Sequence, residues 1–387
     1  MNFDYYIPTK IIFGRGKIES LKSINLPGKK ALIAVSSGNS MKKYGYLDKV
    51  INLLKENNNE CIVFDKILSN PTLTHVMEGS SLAKEENCDF IIGLGGGSSI
   101  DSAKSIAIMA TNEGNYWDYI GGGSGKSLPI KNKPLPIIAI PTTAGTGTEA
   151  DPWTVITKED TNEKIGFGTK DTFPIISIID PNLMLSIPPK LTAYQGFDAL
   201  FHATEGYIAN IATEISDIYA LKSISLIGKY LSKAVNNGND INARTEVALA
   251  STLSGMVEST SSCISKHSLA HALSAYHSDL PHGAALIMIS LAYYKHFINV
   301  VPDRFINMAK ALGKEDAKDP NDFILLLEKL QKDCHVDDIK LSDYKVDKDD
   351  LRKYAVNAKE TMGGLFTFDP KPLSIEDATK ILEESYK

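Results

Sequence analysis

Up to about residue 184 the chain alternates short apolar runs with amphipathic stretches. Residues 30–35 (KALIAV), 61–64 (CIVF), 90–94 (FIIGL), 136–140 (PIIAI) and 175–179 (IISII) are runs of strand length. Short runs rich in β-branched residues predict strands buried on both faces. Stretches 42–57, 72–86 and 98–111 place apolar residues at helical intervals and separate the first of these runs. Such alternation predicts a parallel, doubly wound sheet. Residues 154–157 (TVIT) and 164–167 (KIGF) predict a hairpin appended to it. From about residue 190 the β-branched runs cease and segments at helical spacing follow one another, which predicts an all-helical half. Pro188 and Pro189 forbid a continuing helix and mark the boundary. The expected organisation is an α/β domain over 1–185 and an all-α domain over 186–387.

The helical half concentrates the histidines. Six of the eight lie between 202 and 296, and four of those between 267 and 282. Residues 196–205 (GFDALFHATE) read as one helix, with Asp198 and His202 one turn apart on one face. Residues 266–271 (KHSLAH) repeat that spacing with His267 and His271, and His282 opens a further apolar helix. An isolated histidine on an amphipathic helix is usually a packed core or surface residue, so one pair alone is weak evidence. A carboxylate and several imidazoles on facing helices are what a divalent transition metal needs.

Two glycine-rich turns lie in the first half. Residues 93–104 (GLGGGSSIDSAK) leave a strand and enter a helix. Gly95, Gly96, Gly97 and Ser98 let backbone N–H groups approach a phosphate at a helix N-terminus, with Asp101 one turn further on. The competing reading is a tight turn with no ligand. Residues 141–149 (PTTAGTGTE) follow another strand; Thr142, Thr143, Gly145, Thr146 and Thr148 could line a cofactor. Residues 121–127 (GGGSGKS) imitate a phosphate-binding loop but are rejected. Ile120 stands where that motif needs glycine, no strand precedes it and no helix follows. These residues read as a flexible surface loop.

Composition narrows the classes. A net charge of −6 with no Lys/Arg-rich stripe argues against a broad nucleic-acid surface. The start, MNFDYY, has no basic or apolar leader, and the longest apolar run, 283–294, is too short to span a bilayer. A cytoplasmic protein is expected. Cys61, Cys88, Cys263 and Cys334 are scattered without C-x-x-C spacing and read as reduced thiols. Cys263 precedes His267 by one helical turn, which leaves a thiolate ligand open.

Taken together, these stretches resemble the iron-containing (group III) alcohol dehydrogenases. YIPTKIIFG (6–14) is similar to that family's first strand, GGGSSIDSAK (95–104) to its pyrophosphate loop and PTTAGTGTE (141–149) to its nicotinamide-side loop. Residues 196–205 and 267–283 are similar to its metal segments, so the resemblance runs along essentially the whole chain. It implies a dinucleotide-binding α/β domain and an all-helical metal domain. It implies Asp198, His202, His267 and His282 as ligands of Fe²⁺ or Zn²⁺ and places His271 near the substrate; Asp198 and His271, the latter one turn beyond His267 on the same face, are read as the catalytic residues. His271 would relay the proton near its ordinary pKa of about 6.5. The segment from His271 to His282 is one residue longer than in many members and contains His277, expected in an exposed turn.

The activity implied is reversible hydride transfer between NAD(P) and a small primary alcohol or aldehyde. Trp153, Phe201 and Phe366 could supply an apolar pocket, although each could equally be core. Residues 36–43 (SSGNSMKK) carry no acidic residue for the ribose hydroxyls, while Asn39 and Ser40 are neutral and Lys42 and Lys43 could face a 2′-phosphate. NADP(H) is therefore expected over NAD(H). A homo-oligomer, a dimer, is expected from the resemblance. Two alternatives stand beside this reading. One is a lyase of the dehydroquinate synthase type, which would need more arginine than the single Arg244 of 190–300. The other is a non-catalytic metal- or nucleotide-binding protein.

Overall fold

In a computed structural model, residues 2–387 are described. The first half holds strands β1 (Lys10–Phe13), β2 (Lys30–Ser36), β3 (Glu60–Ile67), β4 (Phe90–Gly95), β5 (Ile137–Pro141), β6 (Thr154–Lys158), β7 (Glu163–Phe167) and β8 (Ile176–Ile179). Between them lie helices α1 (Ser40–Lys43), α2 (Tyr46–Glu56), α3 (Leu73–Glu85) and α4 (Gly97–Thr111). The parallel sheet has the order β1-β8-β5-β4-β2-β3, and β6 and β7 form a separate antiparallel hairpin.

Alternation along the strands explains why both faces are covered. Ala31, Ile33 and Val35 of β2 pack with Val50, Leu53 and Leu54 of α2 on one face. Leu32 and Ala34 pack with Ala103, Ile106 and Ala107 of α4 on the other. Each strand buried on two sides therefore reads as a continuous apolar run. The expected helix over 42–57 is two helices, broken at Gly45, whose φ of +71° is left-handed. From β2 the chain moves outward to β3, then returns to lay β4 on the opposite side of β2. That reversal opens a crevice at the C-terminal ends of β2 and β4, where open α/β sheets bind ligands.

The second half is helical: α5 (Pro189–Ile208), α6 (Glu214–Asn236), α7 (Ile241–Ser261), α8 (Ser265–Tyr276), α9 (His282–Phe297), α10 (Pro302–Ala311), α11 (Asn321–Asp333), α12 (Leu351–Phe366) and α13 (Ile375–Ser385). Pro189 opens α5 at its first turn, where the missing N–H costs nothing. Phe197, Leu200, Phe201, Leu269, Tyr294 and Phe323 belong to one core. No helix among the described residues is long and apolar enough to cross a membrane.

Candidate active site

The histidine cluster is built by α5, α8 and the start of α9. Spacing of one turn puts Asp198 and His202 on the same face of α5, and helix packing brings α8 and α9 against it. Asp198 Oδ1 lies 3.6 Å from His267 Nε2, 3.6 Å from His282 Nε2 and 3.8 Å from His202 Nδ1. These separations are too long for hydrogen bonds. Donors about 2.1 Å from a shared tetrahedral ion lie about 3.4 Å from one another, close to the values found. Asp198 Oδ1, His202 Nδ1 and His267 Nε2 are buried and have no hydrogen-bond partner. Buried polar atoms are rarely left so, and a cation is the partner that would satisfy them together. The donors present fit a divalent metal. Asp198, His267 and His282 bring one atom each within 4.8 Å of one another, while His202 is grouped in the same way with Cys263 and His267.

A glutamate that sequence reasoning quoted but did not assign completes the cluster. Glu205, three residues past His202 on α5, is fully buried. Its Oε1 lies 2.9 Å from His267 Nδ1 and accepts from Lys266 Nζ at 3.2 Å, while Oε2 accepts from Ile264 N at 3.1 Å. A carboxylate on the far nitrogen fixes the tautomer that leaves Nε2 free. Burial opposes the charge on Glu205, but His267 and Lys266 outweigh it and hold the carboxyl at about 2. Burial, reinforced by His267, holds His202 down at about 4. Burial also opposes charge on His267, but Glu205 and Asp198 lift it to about 9.

His271 lines the same cavity, with its ring centroid 4.9 Å from that of His282. Its Nδ1 lies 3.0 Å from Met362 Sδ. A thioether can only accept, so that contact places the proton on Nδ1 and leaves Nε2 a lone pair. The expectation that His271 titrates near 6.5 does not hold. Burial first, and then the charge of Lys164, push it well below that value. His277 is also corrected: it is half-buried at the end of α8, with Nε2 2.8 Å from Tyr354 Oη.

The two glycine turns meet beside the same space, and only part of each lines it. Gly95 takes φ +146°, where a Cβ would come within 2.5 Å of Ser99 Oγ. A Cβ on Gly96 would lie 3.2 Å from Thr143 Oγ1, and one on Gly97 2.6 Å from Thr146 Cγ2, so the two turns pack face to face. Thr142 N donates to Gly95 O at 2.8 Å. Gly145 sits against the backbone of Gln195 in α5. Gly97, Ser98, Asp101, Thr146 and Thr148 line the cavity. Asp101 and Thr148 have their polar atoms engaged within the protein. Thr148 Oγ1 donates to Asp101 Oδ1 at 2.7 Å, and Val155 N donates to Asp101 Oδ2 at 3.0 Å. Lys104, fully buried, donates to Thr148 Oγ1 at 2.6 Å, Trp153 O at 2.6 Å and Asp151 Oδ1 at 3.0 Å. This lysine, which the sequence reading left without a role, clamps the two turns together.

Asn39 and Ser40 lie exposed after β2, at the start of α1. The acid missing from 36–43 arrives from the next strand: Lys42 Nζ is 2.6 Å from Asp65 Oδ2 on β3. Lys43 lies over the Tyr44 ring at 5.4 Å. The loop 121–127 is exposed but tied down, since Ser124 N and Oγ donate to Glu163 at 2.6 and 2.5 Å, and Gly121 and Gly122 line the cavity. Trp153 lines the cavity as well. Phe201 and Phe366 are core: both are buried and neither is among the lining residues.

The cavity itself measures about 780 Å³ and is lined by both halves, Gly97, Ser98 and Thr146 from the first and Asp198, His267 and His282 from the second. A nucleotide-type crevice opening onto a carboxylate–histidine cluster is the arrangement expected of a metal-linked, dinucleotide-dependent protein. Residues 8–181 match the family described as iron-containing alcohol dehydrogenase, and residues 192–386 its C-terminal domain. The chain belongs to the iron-containing alcohol dehydrogenase family and is an NAD(P)-linked alcohol dehydrogenase. It is 40% identical over 296 residues to alcohol dehydrogenase 4 of Schizosaccharomyces pombe, covering 76% of this chain and 68% of that one. It is 31% identical to an NADPH-dependent butanol dehydrogenase of Clostridium saccharobutylicum, covering 99% and 97%, and 30% identical to an NAD-dependent methanol dehydrogenase of Bacillus methanolicus, covering 99% of each. An archaeal halo-thermophilic alcohol dehydrogenase from a Red Sea brine pool superposes with a TM-score of 0.95 at 34% identity, over 100% of this chain and 99% of the other. Family membership displaces the lyase and the non-catalytic readings.

Proposed function

We propose that the protein interconverts small primary alcohols and aldehydes with NADP(H) in preference to NAD(H), using one divalent metal held by Asp198, His202, His267 and His282. The observation that carries the metal reading is one carboxylate oxygen facing three imidazole nitrogens at 3.6–3.8 Å without a hydrogen bond among them. When bound, Fe²⁺ or Zn²⁺ supplies Lewis acidity to the substrate oxygen. The protein does the rest. Backbone N–H groups of Gly95, Gly96, Gly97 and Ser98 at the start of α4 receive the pyrophosphate. The turn carrying Thr142, Thr143, Gly145, Thr146 and Thr148, stiffened by Lys104 and Asp101, sets the nicotinamide against the histidine cluster. His271, proton on Nδ1, accepts the alcohol proton at Nε2.

The cofactor preference rests on Asn39, Ser40 and Lys43, since Asp65 neutralises Lys42. The protein is further proposed to divide into domains at 185/186 and to act as a cytoplasmic homo-oligomer, a dimer. Its four unpaired cysteines agree with a reducing compartment. The test is loss of the reduced-nicotinamide absorbance with two- to six-carbon aldehydes, run with NADPH and with NADH. The expected result is turnover with kcat/KM favouring NADPH by about tenfold or more, on the order of 1.4 kcal/mol. A preference of that size for NADH overturns the cofactor assignment. Asn39→Asp should move the ratio toward NADH, because a carboxylate there would accept ribose hydroxyls and repel a 2′-phosphate.

A further inference from the structure

His202 is flanked by acids on both sides. While Nδ1 faces Asp198, Nε2 lies 3.6 Å from Glu258 Oε2. Glu258 Oε1 in turn accepts from Cys263 Sγ at 3.4 Å. His202, Cys263 and His267 each bring a donor atom within 4.8 Å of the others, all three are buried, and all line the central cavity. The chain reaches this arrangement through Ser262, between α7 and α8, at a left-handed φ of +64° that residues other than glycine seldom adopt. A strained turn held in place beside a cluster of donors is a pointer to function.

We propose that the cluster contains a second ion position, formed by His202, His267 and the Cys263 thiolate with Glu258 alongside, that captures thiophilic ions such as Zn²⁺ or Cd²⁺. The Asp198 position offers only oxygen and nitrogen; this one adds sulfur, and soft thiolate selects for such ions. On binding, the Cys263 S–H bond breaks and a metal–sulfur bond forms. The proton passes to Glu258, which already accepts the thiol's hydrogen bond, and on to buffer; no electrons change hands. The two positions exclude each other. Glu205 occupies His267 Nδ1, so Nε2 is its single free nitrogen, and one lone pair serves one ion. A thiophilic ion in the sulfur position withdraws His267 from Asp198 and His282. Only this inhibitory consequence rests on the catalytic reading above.

The test is direct titration of metal-stripped protein with Cd²⁺ alone, followed by the ultraviolet thiolate-to-cadmium absorption and by ¹¹³Cd NMR. Wild type should develop the band up to one ion per chain, with a cadmium resonance in the thiolate range. Cys263→Ser and Cys263→Ala should lose the band yet still bind Fe²⁺, whereas Cys61→Ser should keep it. A band that survives Cys263→Ala, or its absence from wild type, overturns the proposal, and the wild-type NMR measurement holds even if a variant fails to fold. His282→Ala separates the two readings. Loss of Fe²⁺ with the cadmium band intact supports both, and retained Fe²⁺ counts against the catalytic ligand set alone.

Discussion

Glu205 shows how much of this site depends on a side chain that touches no substrate. It holds His267 through Nδ1, caps the start of α8 through Ile264 N, and pairs with Lys266, whose Nζ stands 3.3 Å over the Phe201 ring. Glu205→Gln preserves the shape and removes the charge, so metal affinity should fall by about 10–100-fold, as measured by competition with a chelator. His271→Ala should behave differently. It should keep its metal and its cofactor affinity while kcat falls by about 10²–10⁴, read from steady-state rates beside elemental analysis. Metal loss in that variant would make His271 a ligand. Asp198, His202 and the later histidines were legible because they repeat at helical spacing. Glu205, Lys104 and Glu258 were not, because their partners lie far away in sequence. Lys104 meets Asp151 and Thr148, and Glu205 meets His267, through packing that no local pattern encodes.

At the level of elements, the apolar runs translated into strands because each is buried on two faces, and the hairpin followed from two short runs flanking a turn. β1 was visible only through resemblance: Lys10–Phe13 lies at the sheet edge and its burial is partial. The Thr- and Gly-rich turn after β5 was recognisable, but its purchase on the helical half was not. Gly147 lies at φ +67°, and a Cβ on Gly255 of α7 would come within 2.0 Å of the Gly147 carbonyl oxygen. Both are backbone atoms, so neither can rotate away. Gly255→Ala should therefore displace the turn, destabilise the fold by about 1–3 kcal/mol and weaken NADPH binding. Thermal unfolding and a fluorescence titration of NADPH check it; an unchanged dissociation constant would show that the turn does not depend on α7.

Across the whole molecule, the histidine cluster makes the metal-free protein sensitive to acid. His202 titrates at about 4 when folded against 6.5 in the unfolded chain. Between those values the unfolded state binds the extra proton, so stability falls as pH drops below 6.5, by about 3 kcal/mol for this group alone. His271 and His282, also pushed down by burial, add in the same direction. His267 is opposite in sign: lifted to about 9, it contributes stability that is full below 6.5 and is lost as pH rises toward 9. The Tm of stripped protein should fall steeply from pH 6.5 to 4.5. A flat profile would mean that the imidazoles are already protonated in the fold.

The proposed ligands all come from three helices of one half, α5, α8 and α9, whereas the nucleotide turns all come from the other half. Where the turn after β5 meets the helical half, backbone lies on backbone, Gly145 on Gln195 and Gly147 on Gly255, beside hydrogen bonds from Thr252 Oγ1 to Glu149 Oε1 at 2.8 Å and from Ser259 Oγ to Ala150 O at 3.0 Å. The residues that would hold the ion and those that would receive the nucleotide are therefore carried by separate parts of the chain. A descendant could exchange iron for zinc by altering α8 or α9, or exchange one dinucleotide for another by altering the turn after β2, and neither change would force the other so long as those contacts were kept.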